Sequence, residues 1–300
     1  VDDLLARLDI AHERNQPLGP LTWYGIGGCA EIVAHPASVQ QLSALASHCH
    51  AHGIRVYVLG IGANLLIADE GVDGVVIRLD APEFSRVRID GTRVIAGAGI
   101  DLMKLVLDTT SAGLRGLEVL AGIPATIGGA ARMNAGGAFG EIGNVIDAVH
   151  VMDETGHTRW LRRDELTFKY RSANITEPYI LDVEFGLVRD DRDTLRRRVK
   201  KIFDYKKSSQ PMAAHSPGCA FKNPPSQDGR DCDSAGMLID RAGLKGYRCG
   251  AAEVCHRHAN FIIAHRGATA DDVRAVLEHV EKTVETRFGI RLEREIVLWP

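Results

Sequence analysis

Three glycine-rich segments in the first half of the chain constrain its fold more than any other feature. They are Tyr24-Gly25-Ile26-Gly27-Gly28-Cys29-Ala30, then Gly60-Ile61-Gly62-Ala63-Asn64, then Gly116-Leu117-Glu118-Val119-Leu120-Ala121-Gly122-Ile123-Pro124-Ala125-Thr126-Ile127-Gly128-Gly129-Ala130, followed by Asn134-Ala135-Gly136. Glycine leaves the backbone unrestrained and Pro124 fixes one φ, so the third segment makes a poor helix or strand. The simplest account of so much unshielded backbone is an extended ligand lying against it. The second segment sits between two apolar runs, residues 56–59 and Leu65-Leu66-Ile67, which makes a strand–glycine loop–strand pattern. A Rossmann fingerprint needs a third glycine and a following amphipathic helix, and neither is present. Gly-Lys never occurs, which excludes a Walker loop. Taken alone, Gly60–Asn64 reads as a tight turn between core strands. Its successive N–H groups also suit a pyrophosphate. Three such loops in order favour the ligand.

Around the loops, short runs rich in Val and Ile predict strands at residues 55–59, 75–79, 145–152 and 179–188. Asp90-Gly91, between Val87-Arg88-Ile89 and Arg93-Val94-Ile95, predicts a hairpin, as does the turn at 153–156. Helical stripes run through Val39, Leu42, Leu45, Ala46 and Cys49, stopping at Gly53. Others run through Leu102, Leu105 and Val106 after Asp101, and through Leu195, Val199, Ile202 and Phe203. The clearest stripe is Val273, Val276, Leu277, Val280 and Val284, opened by Thr269-x-x-Asp272 and closed by Gly289. Residues 206–217 are mostly polar, carry Pro211 and Pro217 and lack periodicity, so they read as a linker at a domain boundary. Residues 224–234 read as a second loop.

Composition narrows the function. A net charge of -3 argues against a general nucleic-acid or membrane-surface binder, and 6% aromatic content argues against a base-stacking platform. Cysteines 29, 49, 219, 232, 249 and 255 match no zinc spacing. No apolar run is long enough to span a bilayer, and the charged start lacks the apolar block of a signal peptide. The expectation is a cytoplasmic protein with reduced thiols and no membrane insertion. His48 and His52 stand one helical turn apart without a supporting carboxylate or Cys, and read as surface residues rather than metal ligands. Arg196-Arg197-Arg198 with Lys200, Lys201, Lys206 and Lys207 reads as the wet face of a helix.

These loops, in this order and spacing, resemble the UDP-N-acetylenolpyruvoylglucosamine reductase (MurB) family of peptidoglycan synthesis. The second half extends the resemblance through Tyr170-Arg171-Ser172, Gly218-Cys219-Ala220-Phe221-Lys222-Asn223-Pro224, Ser234-Ala235-Gly236, Ala242-Gly243-Leu244-Lys245-Gly246, His258-Ala259-Asn260-Phe261 and Leu292-Glu293-Arg294-Glu295-Ile296. The short path from Tyr170 to Asp182 lacks the extra tyrosine-bearing loop of one subgroup, so the match is to the compact subgroup. The resemblance implies an α+β fold: a two-lobed FAD-binding unit of the PCMH or vanillyl-alcohol-oxidase-like kind, with a smaller α+β substrate-binding domain. It places lobe 1 at 1–80, lobe 2 at 81–205, the substrate domain at 206–290 and a C-terminal strand returning to the active site at 291–300.

The resemblance also implies the chemistry. NADPH delivers hydride to flavin N5, the flavin delivers it to C3 of an enolpyruvyl ether, and C2 is protonated. Arg171 matches the arginine that faces the substrate carboxylate, a role suited to a permanent planar cation. Glu295 matches a carboxylic acid that hydrogen-bonds the developing enolate. Its choice over Glu293 rests on the motif alone. Cys219 stands where the family usually has the proton-donating Ser. A thiol ordinarily titrates at about 8.5 and is a far stronger acid than an alcohol. Cofactor contacts are expected from Gly60, Ile61, Gly62, Ala63, Asn64, Leu65, Gly122, Ile123, Pro124, Thr126, Gly128, Gly129, Asn134 and Gly140. Substrate contacts are expected from Tyr170, Arg171, Lys222, Asn223, Lys245 and Glu295. The implied partners are FAD, NADPH and a UDP-sugar, with no nucleic acid and no metal, and the implied state is a monomer.

Two other readings stay open. Flavoproteins of the same fold oxidise alcohols or lactones and often tether the flavin through His or Cys, and His35 and Cys29 lie near the first loop. A catalytically degenerate homologue that binds flavin or UDP-sugar is suggested by four departures from the family pattern: Ala63, Ala125, Cys219 and Val297.

Overall fold

The computed structural model describes residues 1–211, 215–225 and 233–300. Cys232, residues 212–214 of the expected linker and residues 226–232 of the expected loop lie outside the described residues. The chain divides into two compact units. The first is Val1–Gln16, Glu31–Ile61 and Asp73–Tyr205, and the second is Pro17–Ala30, Gly62–Val72 and Lys206–Pro300. This differs from consecutive lobes at 1–80 and 81–205. Two short excursions, 17–30 and 62–72, are built into the second unit, and the remainder of both lobes shares one core.

In the first unit a four-stranded sheet has the order Ala11–Pro17, Cys29–His35, Val72–Ile77, Val56–Val58, the last pair parallel. The helix Val39–Ala51 buries Leu42, Leu45, Ala46 and Cys49. Ser38 caps it by accepting from Gln41 N at 3.2 Å, and Gly53 at φ +64 follows its end. A five-stranded antiparallel sheet has the order Thr158–Arg162, Ile146–Met152, Tyr179–Gly186, Arg93–Gly97, Val87–Asp90. Asp90 pairs with Arg93, so Gly91 sits in the two-residue turn that the sequence predicts. The turn at 153–156 closes with Gly156 N donating to Asp153 O at 3.1 Å. Leu102–Ser111 is a helix capped by Asp101, which accepts from Lys104 N at 2.8 Å.

The third glycine segment behaves differently from expectation. Ile127–Arg132 is a helix, with Thr126 Oγ1 accepting from Gly129 N at 3.3 Å. Gly128 faces Ala98 so closely that a Cβ on it would lie 2.9 Å from the Ala98 Cβ. Tight packing here requires glycine within a helix, and tertiary contact overrides its poor helix propensity. The second segment does join two strands, Val56–Val58 and Leu65–Ile67.

In the second unit an antiparallel sheet runs Arg248–Cys249, Ala252–Val254, Ile262–Ala264. The helix Ala270–Phe288 packs there on Val273, Val276, Leu277, Val280 and Val284. Thr269 and Asp272 form the predicted capping box, and Gly289 ends the helix at φ +68. Val297–Trp299 pairs in parallel with Leu65–Ile67. Gly62 abuts the Leu21 carbonyl, and a Cβ on it would lie 2.7 Å from the Thr22 Cα, so backbone approach alone accounts for that glycine. The expected linker begins later than predicted. The helix Arg192–Ser209 runs four residues into it, because the stripe of Leu195, Val199 and Ile202 carries the polar turns beyond it. Among the described residues, no helix is long and apolar enough to cross a membrane.

Candidate active site

A cavity of about 170 Å³ lies in the first unit, and its wall includes Gly60, Ile61, Thr126, Gly128 and Gly129. At that size it takes one portion of a dinucleotide, since sites enclosing a whole drug-sized ligand run to about 300–1,000 Å³. Gly122, Ile123, Pro124, Asn134 and Gly140 belong to the same unit but lie outside that wall. Gly62, Ala63, Asn64 and Leu65 belong to the second unit. Three charged residues that the sequence did not single out also line the cavity, Arg78, Asp80 and Arg132. Arg78 Nε is buried and makes no hydrogen bond among the described residues, although Asp80 Oδ2 lies 3.3 Å away. A glycine-lined wall beside an unsatisfied guanidinium nitrogen fits an anionic dinucleotide such as FAD.

Arg132 is held by three backbone carbonyls. Its Nη1 donates to Ile175 O at 2.5 Å, and its Nη2 donates to Glu177 O at 2.5 Å and Pro178 O at 3.1 Å. No spacing rule marks such a residue: it is a cation in the last turn of a short helix that satisfies three distant carbonyls. His35, weighed as a flavin tether, is engaged by Asp80 Oδ1 at 3.0 Å and Glu13 Oε2 at 2.9 Å.

Arg171 sits in the first unit on a tight turn between Phe168–Lys169 and Ser172–Ala173, at φ +54. Its guanidinium lies 4.8 Å from the centroid of the Tyr170 ring, and its Nη1 lies 3.7 Å from Glu141 Oε1. Tyr170 is exposed. Asn134, expected at the cofactor, is fully buried. Its Nδ2 donates to Glu141 Oε2 and to Lys169 O, both at 2.8 Å, and its Oδ1 accepts from Gly143 N at 3.0 Å.

In the second unit the two distant motifs come together. Phe221 bridges Arg294 in antiparallel sense, with Glu295 N donating to Ala220 O and Lys222 N donating to Glu293 O, both at 2.8 Å. The half-buried Cys219 therefore adjoins the residue paired to Glu295. Asn260, buried, fixes this strand from the other side. Its Nδ2 donates to Phe221 O at 2.8 Å and its Oδ1 accepts from Phe221 N at 3.0 Å, while Ala220 N donates to Asn260 O at 2.7 Å. Arg294 forks onto Glu281, through Nε at 2.5 Å and Nη2 at 2.8 Å, and ties the strand to the long helix. Glu293 is exposed and pairs with Lys222. Asn223 Oδ1 accepts from Ala235 N at 3.0 Å and Lys245 Nζ lies 2.6 Å from Asp240 Oδ2.

The remaining sequence features are structural. The His48 and His52 rings lie 4.1 Å apart, tilted by 32°, and burial followed by the charge of His52 pushes the His48 pKa down. Among the described residues no group of three metal-ligating side chains occurs. Part of the basic run on the 192–209 helix is paired, with Arg196 on Asp193 and Arg198 on Asp190 and Glu118. Ala125 O accepts from Leu102 N at 2.9 Å, and Val297 pairs with Leu65.

A family model described as the UDP-N-acetylenolpyruvoylglucosamine reductase C-terminal domain matches residues 210–299, and one described as an FAD binding domain matches residues 30–162. The UDP-N-acetylenolpyruvoylglucosamine reductase of Moorella thermoacetica is 38% identical over 286 residues, covering 95% of this chain and 92% of that one. That of Heliobacterium modesticaldum is 39% identical, covering 94% and 89%. The crystal structure of the Thermus caldophilus enzyme superimposes with a TM-score of 0.81 at 36% identity, over 97% of this chain and 99% of that one. The chain belongs to the UDP-N-acetylenolpyruvoylglucosamine reductase family.

Proposed function

We propose that this protein reduces the enolpyruvyl ether of UDP-N-acetylglucosamine to UDP-N-acetylmuramate, with FAD as cofactor and NADPH as reductant. The reading is carried by the pairing of the Cys219-Ala220-Phe221 strand with Arg294-Glu295, which brings a thiol and a carboxyl group from remote motifs onto adjoining backbone. When bound, FAD supplies the hydride chemistry, taking hydride from NADPH and giving it to C3 of the alkene. Gly60, Ile61, Thr126, Gly128 and Gly129 would hold it, with Arg78 as a cationic partner.

The other roles fall to this chain's own side chains. Arg171 holds the substrate carboxylate and stabilises the enolate that forms as C3 gains hydride. The Cys219 thiol gives its proton to C2, which balances the added hydride and leaves a thiolate that solvent reprotonates. Glu295 donates a hydrogen bond to the enolate. Tyr170, Lys222, Asn223 and Lys245 bind the sugar nucleotide. The enzyme works as a monomer in the cytoplasm, where NADPH and nucleotide sugars are supplied. An anaerobic two-stage assay tests the reading. Bleaching of the flavin by NADPH and recovery of colour on adding the enolpyruvyl UDP-sugar are expected. Bleaching without recovery would sink the substrate assignment.

A further inference from the structure

We propose that Glu141 is the positioning residue for Arg171, and that Asn134 sets the angle at which it acts. The inference rests on the reading of Arg171 as the group that receives the substrate carboxylate. Among the described residues four non-glycine residues adopt positive φ, and two of them, Asn134 at +45 and Arg171 at +54, are joined through one carboxylate, that of Glu141. A left-handed conformation is disfavoured for a residue that carries a Cβ, least so for asparagine, and such residues gather where geometry serves a site.

The arrangement is specific. The Arg171 side chain is 15% exposed and so needs a nearby counter-charge. An unrestrained glutamate would meet a guanidinium with both oxygens in a parallel fork, occupying the edge that a substrate carboxylate requires. Asn134 prevents this by holding Oε2 at 2.8 Å, which turns Oε1 toward Arg171 Nη1 at 3.7 Å. At that separation the two atoms attract as charges without hydrogen-bonding to each other. Asn134 also holds Lys169 O, so one buried amide fixes both the carboxylate and the turn that carries the arginine. The hairpin bearing Glu141 is fitted to the same end. Gly136 faces Glu141, and a Cβ there would lie 2.6 Å from the Glu141 Cγ.

The test uses the FAD-loaded enzyme with Glu141→Gln, Arg171→Lys and the double variant. Glutamine keeps an oxygen for Asn134 but removes the charge. Glu141→Gln is expected to lower kcat/KM for the enolpyruvyl UDP-sugar about tenfold, within the range of coupled neighbours. FAD content and the rate of flavin reduction by NADPH stay unchanged. In the Arg171→Lys background the same change is expected to cost less than about twofold, because its partner geometry is already gone. Should Glu141→Gln lose FAD, Glu141→Asp keeps the charge but draws the carboxylate back by one methylene from Asn134 and Arg171, and the same selective loss is expected. The inference is overturned if Arg171→Lys is impaired while Glu141→Gln matches the parent, or if the two losses multiply in full. If Arg171→Lys itself matches the parent, the reading of Arg171 fails instead.

Discussion

Asn64 Nδ2 donates to the backbone carbonyl of Glu295 at 2.8 Å, and Val297 N donates back to the carbonyl of Asn64 at 3.0 Å. The asparagine of the second glycine loop is therefore a clasp on the strand that carries a proposed catalytic acid. Loss of one such bond costs about 1 kcal/mol of stability. Asn64→Ala is expected to lower the unfolding free energy measured in urea by that amount and to slow substrate reduction about tenfold through misplacement of Glu295. Flavin reduction by NADPH is expected to continue at the parental rate. Loss of FAD with normal substrate reduction after reconstitution would show Asn64 to be a cofactor ligand instead.

The sequence makes some of this legible and hides the rest for identifiable reasons. The 270–288 helix announces itself because its stripe, capping box and terminal glycine are all local signals. The 127–132 helix is hidden because two glycines argue against it until Ala98 is seen packed on Gly128. The union of Cys219-Ala220 with Glu295 depends on pairing between strands far apart in sequence, and no local pattern encodes a partner. Only the family resemblance brings both residues into view. Arg78, Arg132 and Glu141 pass unnoticed because each is an ordinary polar residue whose importance lies in what surrounds it, and Asn260 is noticed only as part of a motif, without its grip on Phe221.

Cys219 should be separable from the flavin. Cys219→Ser keeps an X–H group at the same place and is expected to retain substantial substrate reduction. Cys219→Ala is expected to lower that step about 100-fold or more, the scale of general acid catalysis, while NADPH still bleaches the flavin. A thiol acid works only while protonated, so the parent should lose activity on the alkaline side. The serine variant should hold its activity to higher pH. Parental turnover by the alanine variant in stopped-flow measurements would remove Cys219 from the mechanism.

Glu253 gives the second unit a pH dependence with a definite sign. Burial pushes its pKa up, but hydrogen bonds from His265 at 2.7 Å and Arg248 outweigh this and hold the carboxyl below its ordinary value. A carboxyl whose folded pKa is depressed adds stability that is complete above the unfolded value and is lost as pH falls through the folded one. Glu253→Gln is expected to cost about 1.5–3 kcal/mol at pH 7, the scale of a hydrogen bond to a charged group. The gap from the parent should narrow as the pH falls below the ordinary carboxylate range. Urea denaturation across that range checks it, and a gap independent of pH would mean the carboxylate charge contributes nothing.

Tyr24 offers a change that should stabilise the protein. Its ring is 1% exposed in the core of the second unit, packed with Leu66, Phe221 and Ile239, and among the described residues its hydroxyl has no hydrogen-bond partner. Burial drives its pKa far upward, so the phenol stays neutral throughout. An unsatisfied buried hydroxyl carries a desolvation cost of about 1–3 kcal/mol, whereas the ring's apolar packing is the same in phenylalanine. Tyr24→Phe removes the cost and keeps the packing. The expected outcome is a gain of about 1 kcal/mol in unfolding free energy with no change in FAD content or turnover. A loss of stability would mean that the hydroxyl is satisfied in solution by water. Thermal unfolding of the two proteins side by side decides between these outcomes, because the substitution alters one atom and no charge.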